Sequence, residues 1–341
     1  MDLGSVREKE KAVSRANLKR FRFDLSTVFA VACLVIIILY LGSGIVLLLD
    51  VLETPLSHLI SAFNDIGIDD ARSVYRDFIR SGTFTACLDL VTYLLSLALP
   101  FLFALWFMHN RPESFYPVSA RLPKDPGKFI FFTFGFTLSM NLVCNLLLSE
   151  YYPELTGSSP SGVVPTLITV IMTVIIAPIG EELIFRGVIF QTLLPYGTGF
   201  AVFASSLIFA LAHRNPPQMI NAFFFGICLA IGFCKTRSVT VCVLMHLVNN
   251  AFSVAVTYMI NDDSDPMTYV IGIGILVVIC FAISAVFNTL ATGKSSILVC
   301  DDNENPTPRL TASQFALSLL SNFFFWFYLV IIAIGTVVLY I

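Results

Sequence analysis

Charged side chains are scarce in this sequence. Only 13% of its 341 residues are Asp, Glu, Lys or Arg, whereas 57% are hydrophobic. Soluble domains carry about 25% charged and about 45–50% apolar residues. This balance excludes an ordinary soluble domain. With a net charge of −3, the sequence also lacks the basic footprint that is typical of nucleic-acid-binding proteins.

Several common metal and disulfide motifs are also missing. The eight cysteines form no C-x-x-C pair, so they are interpreted as small apolar core residues rather than as a disulfide framework. The H-E-x-x-H helix of many zinc proteases does not occur. The sequence contains no internal repeat, whereas many membrane carriers are built from inverted repeats.

Long apolar runs are abundant, and most are long enough to cross a bilayer as helices. They predict an all-α fold, a polytopic transmembrane helical bundle of about 8–9 spans. The runs lie at about 26–49, 83–108, 129–148, 163–194, 198–213, 219–233, 239–258, 267–290 and 315–340.

Basic side chains are concentrated on one side of these runs. Residues 1–25 carry seven Lys or Arg, and the loop at 109–128 is also basic. The loop at 50–82 is acidic on balance, and the loop at 149–162 contains no Lys or Arg. Because positive loops remain in the cytoplasm, the sequence predicts an integral, multi-pass membrane protein with a cytoplasmic N-terminus. The basic residues of the N-terminal segment are Arg7, Lys9, Lys11, Arg15, Lys19, Arg20 and Arg22.

Polar side chains interrupt three of these apolar runs. The fourth run contains Glu181, Glu182 and Arg186, the next run ends in Phe209-x-x-x-His213, and the seventh contains a further pair, His246-x-x-x-Asn250. Ionisable groups at hydrocarbon depth cost about 3 kcal/mol each, so a functional site is the default interpretation. The two runs that flank His213 span only about 23 Å each, less than the roughly 30 Å of hydrocarbon. We therefore expect their connection to lie inside the membrane.

Each cluster also has a purely structural interpretation. Glu182 and Arg186 stand at i and i+4 and could neutralise each other, His213 could cap a helix, and His246 with Asn250 could join helices. Together, however, these residues are the set that a water-activating hydrolase needs: a carboxylate base, imidazoles, and amide donors for an oxyanion. Arg186 opposes a base role for Glu182, so the two glutamates are expected to differ in function.

The three motifs Glu-Glu-x-x-x-Arg, Phe-x-x-x-His and His-x-x-x-Asn, in this order, resemble those of the CPBP family. That family comprises intramembrane CAAX-type prenyl endopeptidases and bacteriocin-processing or immunity proteins. The resemblance covers residues 163–258 and implies a catalytic core of four consecutive helices. It divides the chain into a basic segment at 1–25, N-terminal helices at 26–160, the protease core at 161–260 and C-terminal helices at 261–341.

The resemblance also implies residue roles. Glu181 activates water, His213 is its partner, and His246 with Asn250 stabilises the oxyanion or faces a metal. Glu182, Arg186 and Phe209 support the site. The family is described as metalloproteases, although a glutamate-dependent mechanism without metal is also argued for it. Zinc or another divalent ion at Glu181, His213 and His246 is therefore left open.

The leading hypothesis is an intramembrane endopeptidase that acts on a membrane-bound peptide or protein, with a prenylated C-terminus as one option. A second hypothesis is a non-catalytic scaffold, immunity or regulatory protein with the same fold. A third is a transporter that uses Glu181 and Glu182 as a proton relay.

Overall fold

The computed structural model describes residues 3–109, 127–148, 162–259, 266–290 and 310–338, and within these ranges the chain is all α-helical. The predictions for the intervening loops, including the basic loop after His109, lie outside the described residues. The described helices are α1 Leu3–Val51, α2 Glu53–Asn64, α3 Ile68–Ile79, α4 Gly82–His109, α5 Gly127–Leu148, α6 Val163–Tyr196, α7 Thr198–Ala212, α8 Pro216–Thr236, α9 Val239–Met259, α10 Pro266–Leu290, α11 Ala312–Leu320 and α12 Phe323–Val338.

The structure is a polytopic helical bundle, as predicted. Six of the described helices are long and apolar enough to cross a membrane, or seven spans if α11 and α12 together form one. Two shorter apolar helices lie at Phe129–Cys144 and Thr198–Ala212. The predicted count of eight to nine spans is therefore not confirmed.

The first helix is longer than its apolar run. It begins at Leu3 and continues without a break to Val51, because no glycine or proline lies between Ser5 and Leu41 to stop it. The Asp24 carboxylate, on this extension, accepts a hydrogen bond of 2.5 Å from Tyr196 Oη at the end of α6. The end of the polar N-terminal segment, at Asp24, is thus packed against the bundle.

The last apolar run also differs from the prediction of one continuous helix. It consists of α11 and α12, which are bent by 62° relative to each other. The side chain of Asn322 explains the break, because its Oδ1 accepts from Phe325 N at 3.0 Å and caps the new helix. Its Nδ2 donates to Ser26 Oγ on α1 at 2.9 Å.

A tight connection joins α7 to α8. His213 ends α7, and Arg214 adopts the left-handed conformation with φ of 60°. Asn215 then caps α8 by accepting from Gln218 N, and Pro216 occupies the first helical position, where its missing N–H costs nothing.

Helix α6 is the centre of the bundle, and glycines allow its neighbours to approach closely. At Gly180, a Cβ atom would overlap Leu97 Cδ1 of α4 and lie 3.0 Å from Leu97 Cγ. Small residues commonly mark such contacts between membrane helices. The close approach of α4 brings Tyr93, one turn before Leu97, next to Glu181.

We predict that Gly180→Ala destabilises the protein, because the added methyl group forces α4 and α6 apart. Overpacking of this kind costs about 1–3 kcal/mol, which a thermal unfolding scan of the detergent-solubilised protein will detect. Gly44→Ala is the matched control, since a Cβ at Gly44 meets nothing within 4 Å. A Gly180→Ala protein as stable as the Gly44→Ala protein would contradict the close contact.

Candidate active site

Two π-helical turns, Met172–Ile176 and Phe185–Phe190, bracket the short α-helical segment of α6 that carries both glutamates. Such turns often occur at functional sites. In the first of them, the carbonyl oxygen of Thr173 accepts a hydrogen bond of 3.0 Å from Asn250 Nδ2 of α9. The distortion of α6 is therefore stabilised by a side chain from a neighbouring helix.

Glu182 is fully buried and accepts two hydrogen bonds at one oxygen. Its Oε1 lies 3.0 Å from Arg186 Nη1 and 2.9 Å from His246 Nδ1. Because the arginine also donates to this oxygen, Glu182 is the acceptor and the imidazole of His246 is the donor. In a neutral His246 this leaves Nε2 with its lone pair. The carboxylate of Glu182 thus fixes both the position and the tautomer of the histidine.

Arg186 connects three helices through its guanidinium. Besides Glu182, it donates from Nη2 to the carbonyl oxygen of Gly226 on α8 at 3.0 Å. Its Cζ lies 4.7 Å from the centre of the Phe209 ring on α7, a cation–π contact. A Cβ at Gly226 would lie 3.1 Å from Ser206 Cα, so the glycine allows α7 and α8 to close around the arginine.

Glu181 has different surroundings from Glu182. Its side chain keeps 16% of its surface exposed, and its Oε1 accepts a hydrogen bond of 2.5 Å from Tyr93 Oη on α4. Its Oε2 has no hydrogen-bond partner among the described residues and lies 3.9 Å from His246 Nε2. One carboxylate oxygen is therefore held in place while the other remains free to accept a proton.

His213 lies beside this pair, on the other side of an aromatic ring. Its Nδ1 donates to the carbonyl oxygen of Phe209 at 2.9 Å, since a carbonyl can only accept. The Phe209 ring packs edge-on against both His213 and His246, at 4.9 and 5.9 Å between ring centres. The Phe-x-x-x-His spacing thus places the phenylalanine between the two histidines.

The site lies at the middle level of the spans. Tyr93, which contacts Glu181, is one residue from the centre of the span Gly82–Trp106. The tip between α7 and α8 reaches a similar level, because the guanidinium of Arg214 stacks 4.9 Å from the ring of Tyr40. Tyr40 is near the middle of the apolar run 26–49 of α1. The expectation that this tip lies inside the membrane agrees with these contacts.

Asn250 is less directly connected to the site than the sequence suggested. Its Nδ2 donates to Thr173 O, and its Oδ1 accepts from Asn249 Nδ2 at 3.2 Å. In the described part of the chain no hydrogen bond joins it to Glu181 or to either histidine. Its second amide hydrogen remains available.

Tyr93 is a site residue that the sequence reasoning missed. Nothing in the apolar run around it marks the residue as a neighbour of Glu181, because the contact depends on how α4 packs against α6. A usable signal is chemical: a phenol in the middle of a membrane span must find a hydrogen-bond partner. A carboxylate on another span is a natural one.

The residues proposed as metal ligands do not form a preassembled cage. Among the described residues, no three His, Cys, Asp or Glu side chains lie together in a way that could hold an ion. The Nδ1 atoms of His213 and His246 are engaged with Phe209 and Glu182. Their Nε2 atoms and Glu181 Oε2 are chemically suitable donors, but they do not converge.

Comparison with known proteins gives matches to membrane proteases. Residues 163–252 match the sequence family described as type II CAAX prenyl endopeptidase Rce1-like. The chain is 30% identical over 160 residues to the membrane-embedded CAAX protease MroQ of Staphylococcus aureus, across 41% of this chain and 63% of MroQ. It is 30% identical over 109 residues to YdiL, a candidate membrane peptidase of Bacillus subtilis, across 30% of this chain and 45% of YdiL. The chain thus spans about half to two thirds of these relatives, and no solved structure matches it significantly.

We predict that Glu182→Gln destabilises the protein far more than Glu181→Gln. Loss of the Glu182 charge leaves Arg186 buried without its counterion, which costs about 3–5 kcal/mol. The same change at Glu181 preserves an oxygen that can accept from Tyr93 and alters a partly exposed group. Thermal unfolding of both variants in detergent measures the difference, and equal losses would contradict the distinct surroundings of the two glutamates.

Proposed function

We propose that this chain, whose residues 163–252 match a family of CAAX prenyl endopeptidases, is an intramembrane endopeptidase that hydrolyses a peptide bond of a membrane-associated substrate. One observation carries the proposal: Glu181 Oε2 is the unbonded oxygen of a positioned carboxylate and lies 3.9 Å from the imidazole of His246. Glu182 Oε2 is also without a partner among the described residues, but its carboxylate is paired with Arg186, so Glu181 is the carboxylate that is left for general base chemistry.

The distance between these two acceptors suits one water molecule. A water that donates its two hydrogens at about 2.8 Å each spans acceptors that are roughly 4 Å apart. Glu181 Oε2 and a neutral His246 Nε2 are such a pair. Tyr93, by binding the other oxygen of Glu181, keeps the free oxygen directed at the water.

The reaction then follows from ordinary general base chemistry. Glu181 takes one proton from the water as the water oxygen attacks the carbonyl carbon of the scissile bond. The carbon–nitrogen bond breaks when the proton, passed from the Glu181 carboxyl group, reaches the leaving amide nitrogen. The Nε2 of His213 serves as a second acceptor that can relay this proton.

The oxyanion that forms on the substrate needs donors. We assign this role to the second amide hydrogen of Asn250. Asn250 is held by Thr173 O, so its amide has a fixed orientation. Glu182 and Arg186 act as positioning residues, because their charges are directed at each other, at His246 and at the Gly226 carbonyl.

The substrate class follows from the relatives and the depth of the site. MroQ is named a CAAX protease, and on that basis we propose a lipid-modified or otherwise membrane-bound peptide as substrate, a prenylated C-terminus included. The basic N-terminal segment favours a cytoplasmic N-terminus. Because the site lies at the middle level of the spans, we expect the cleaved bond to lie near the middle of the bilayer.

We predict that Glu181→Gln lowers the rate of peptide cleavage by about 10²–10⁴-fold, the contribution expected of a general base. Tyr93→Phe should give a smaller loss in kcat, because it frees the carboxylate without removing it. Both are measured with purified protein and a fluorogenic lipidated peptide in liposomes. Glu53→Gln, in α2 outside the site, is the matched control and should cleave at the wild-type rate.

Cleavage by Glu181→Gln at the wild-type rate would show that Glu181 is not the general base. Absence of cleavage by the wild-type protein, together with a cellular phenotype that survives Glu181→Gln, would instead favour the scaffold or regulatory alternative. Proton-coupled solute flux in liposomes would favour the transporter.

The metal at Glu181, His213 and His246 remains a prediction that metal analysis can test. For the mechanism above we expect cleavage to continue after treatment with 1,10-phenanthroline, and less than one zinc per protein by mass spectrometry. Loss of activity on chelation, with recovery on adding zinc, would show that the three residues converge on an ion in the active state.

A further inference from the structure

Arg214 is a cation next to the candidate site that no other described residue neutralises. It directly follows His213 in the chain. Its guanidinium forms no hydrogen bond or ion pair within the described ranges, and its Nε is buried without a partner. Arg186, by contrast, is already matched by Glu182.

The position of Arg214 is fixed by two helices that the family match does not include. Its guanidinium stacks on Tyr40 of α1 at 4.9 Å. Its carbonyl oxygen accepts a hydrogen bond of 3.0 Å from Thr336 Oγ1 of α12. Gly335 lets these groups meet, since a Cβ there would overlap Tyr40 Oη and lie 3.3 Å from Arg214 Cδ.

The backbone at this residue is itself unfavourable for arginine. Its φ of 60° is a conformation that Gly, Asn or Asp adopts with less strain. A glycine would therefore make the same turn at lower cost. What arginine adds in comparison with glycine is its side chain, which is a cation at membrane depth. Such a charge requires an anionic partner.

The level of this cation matches that of the candidate base. A Cβ at Gly42 of α1 would lie 2.9 Å from the side chain of Thr92, which is next to Tyr93, the residue that binds Glu181. Tyr40, two residues before Gly42, thus presents Arg214 at nearly the same depth as Glu181.

We propose that Arg214 binds a carboxylate of the substrate and so sets which bond is presented to Glu181. The free C-terminal carboxylate is the favoured source, because a guanidinium matches a carboxylate in geometry. An acidic side chain near the scissile bond offers the same chemistry. This inference rests on the proposed peptidase function.

The test compares three membrane-anchored peptides of one sequence: a free C-terminal acid, its amide, and an amide with an aspartate beside the scissile bond. In neutral phosphatidylcholine liposomes, we expect wild-type protein to cleave the acid with a kcat/KM about 10- to 100-fold above that of the amide. Arg214→Gln should lower the value for the acid to that of the amide and leave the amide unchanged. Arg214→Lys should keep part of the preference.

Arg237→Gln is the matched control. Arg237 is also a left-handed arginine, with φ of 51°, at the opposite end of α8, so its replacement tests the same change in charge and backbone environment. We expect it to leave the ratio between acid and amide unaltered. Thermal unfolding of each variant identifies any that fails to fold.

Several results would overturn the proposal. The first is that the wild type cleaves the acid and the amide with equal kcat/KM. The second is that Arg214→Gln lowers the kcat/KM for both peptides by the same factor. The third is that the effect of Arg214→Gln is seen only when anionic phosphatidylglycerol is added to the liposomes. Preference for the aspartate peptide alone supports carboxylate binding and assigns the carboxylate to a side chain.

A binding measurement separates this proposal from the peptidase function. Fluorescent acid and amide peptides with a reduced, non-cleavable bond are titrated into wild-type and Arg214→Gln protein. Tighter binding of the acid that disappears in Arg214→Gln supports the role of Arg214 even if no peptide is cleaved. Equal binding of both peptides to the wild type rules that role out.

Discussion

The arrangement of the site depends on one oxygen atom, Oε1 of Glu182. It receives hydrogen bonds from Arg186 and from His246 at the same time, and the Glu182 side chain has no exposed surface. An isolated charge there would cost several kcal/mol, and the opposite charge of a partner offsets part of that cost. The arginine also donates to the carbonyl of Gly226 and stacks on the ring of Phe209, although its Nε has no hydrogen-bond partner among the described residues. The buried pair thus joins α6, α7, α8 and α9, and it orients His246.

Because this pair neutralises itself, the neighbouring glutamate is left for chemistry. Glu181 shares no donor with Glu182 and takes its single hydrogen bond from α4, on the other side of α6. Adjacent residues on a helix point about 100° apart, so two consecutive glutamates naturally face different neighbours. This separation of a structural and a reactive carboxylate needs no more than the motif Glu-Glu-x-x-x-Arg and helices packed on both sides.

The sequence predicted the helical bundle, because runs of apolar residues can span a bilayer only as helices or barrels. It also predicted the contact between Glu182 and Arg186, since i and i+4 residues share a helix face. It did not predict Tyr93, the contact between Asn250 and Thr173, or the stacking of Arg214 on Tyr40. These contacts join residues more than 70 positions apart, and they follow from how helices pack rather than from spacing within any one of them. The break at Asn322 was missed because a single capping side chain inside an apolar run leaves the hydropathy pattern unchanged.

The two π-helical turns of α6 change the side of the helix that each of the following residues faces. A π turn accommodates one residue more than an α turn, so the residues that follow it are rotated by roughly 100° relative to an uninterrupted helix. With one such turn before Glu181 and another after Ile184, a regular helical wheel drawn from Val163 to Tyr196 assigns the wrong faces to the middle of the helix. The rotational position of the side chains around α6 thus shifts twice along the helix. Its two ends can present apolar faces to their neighbours while the segment between them turns its carboxylates toward α4 and α9.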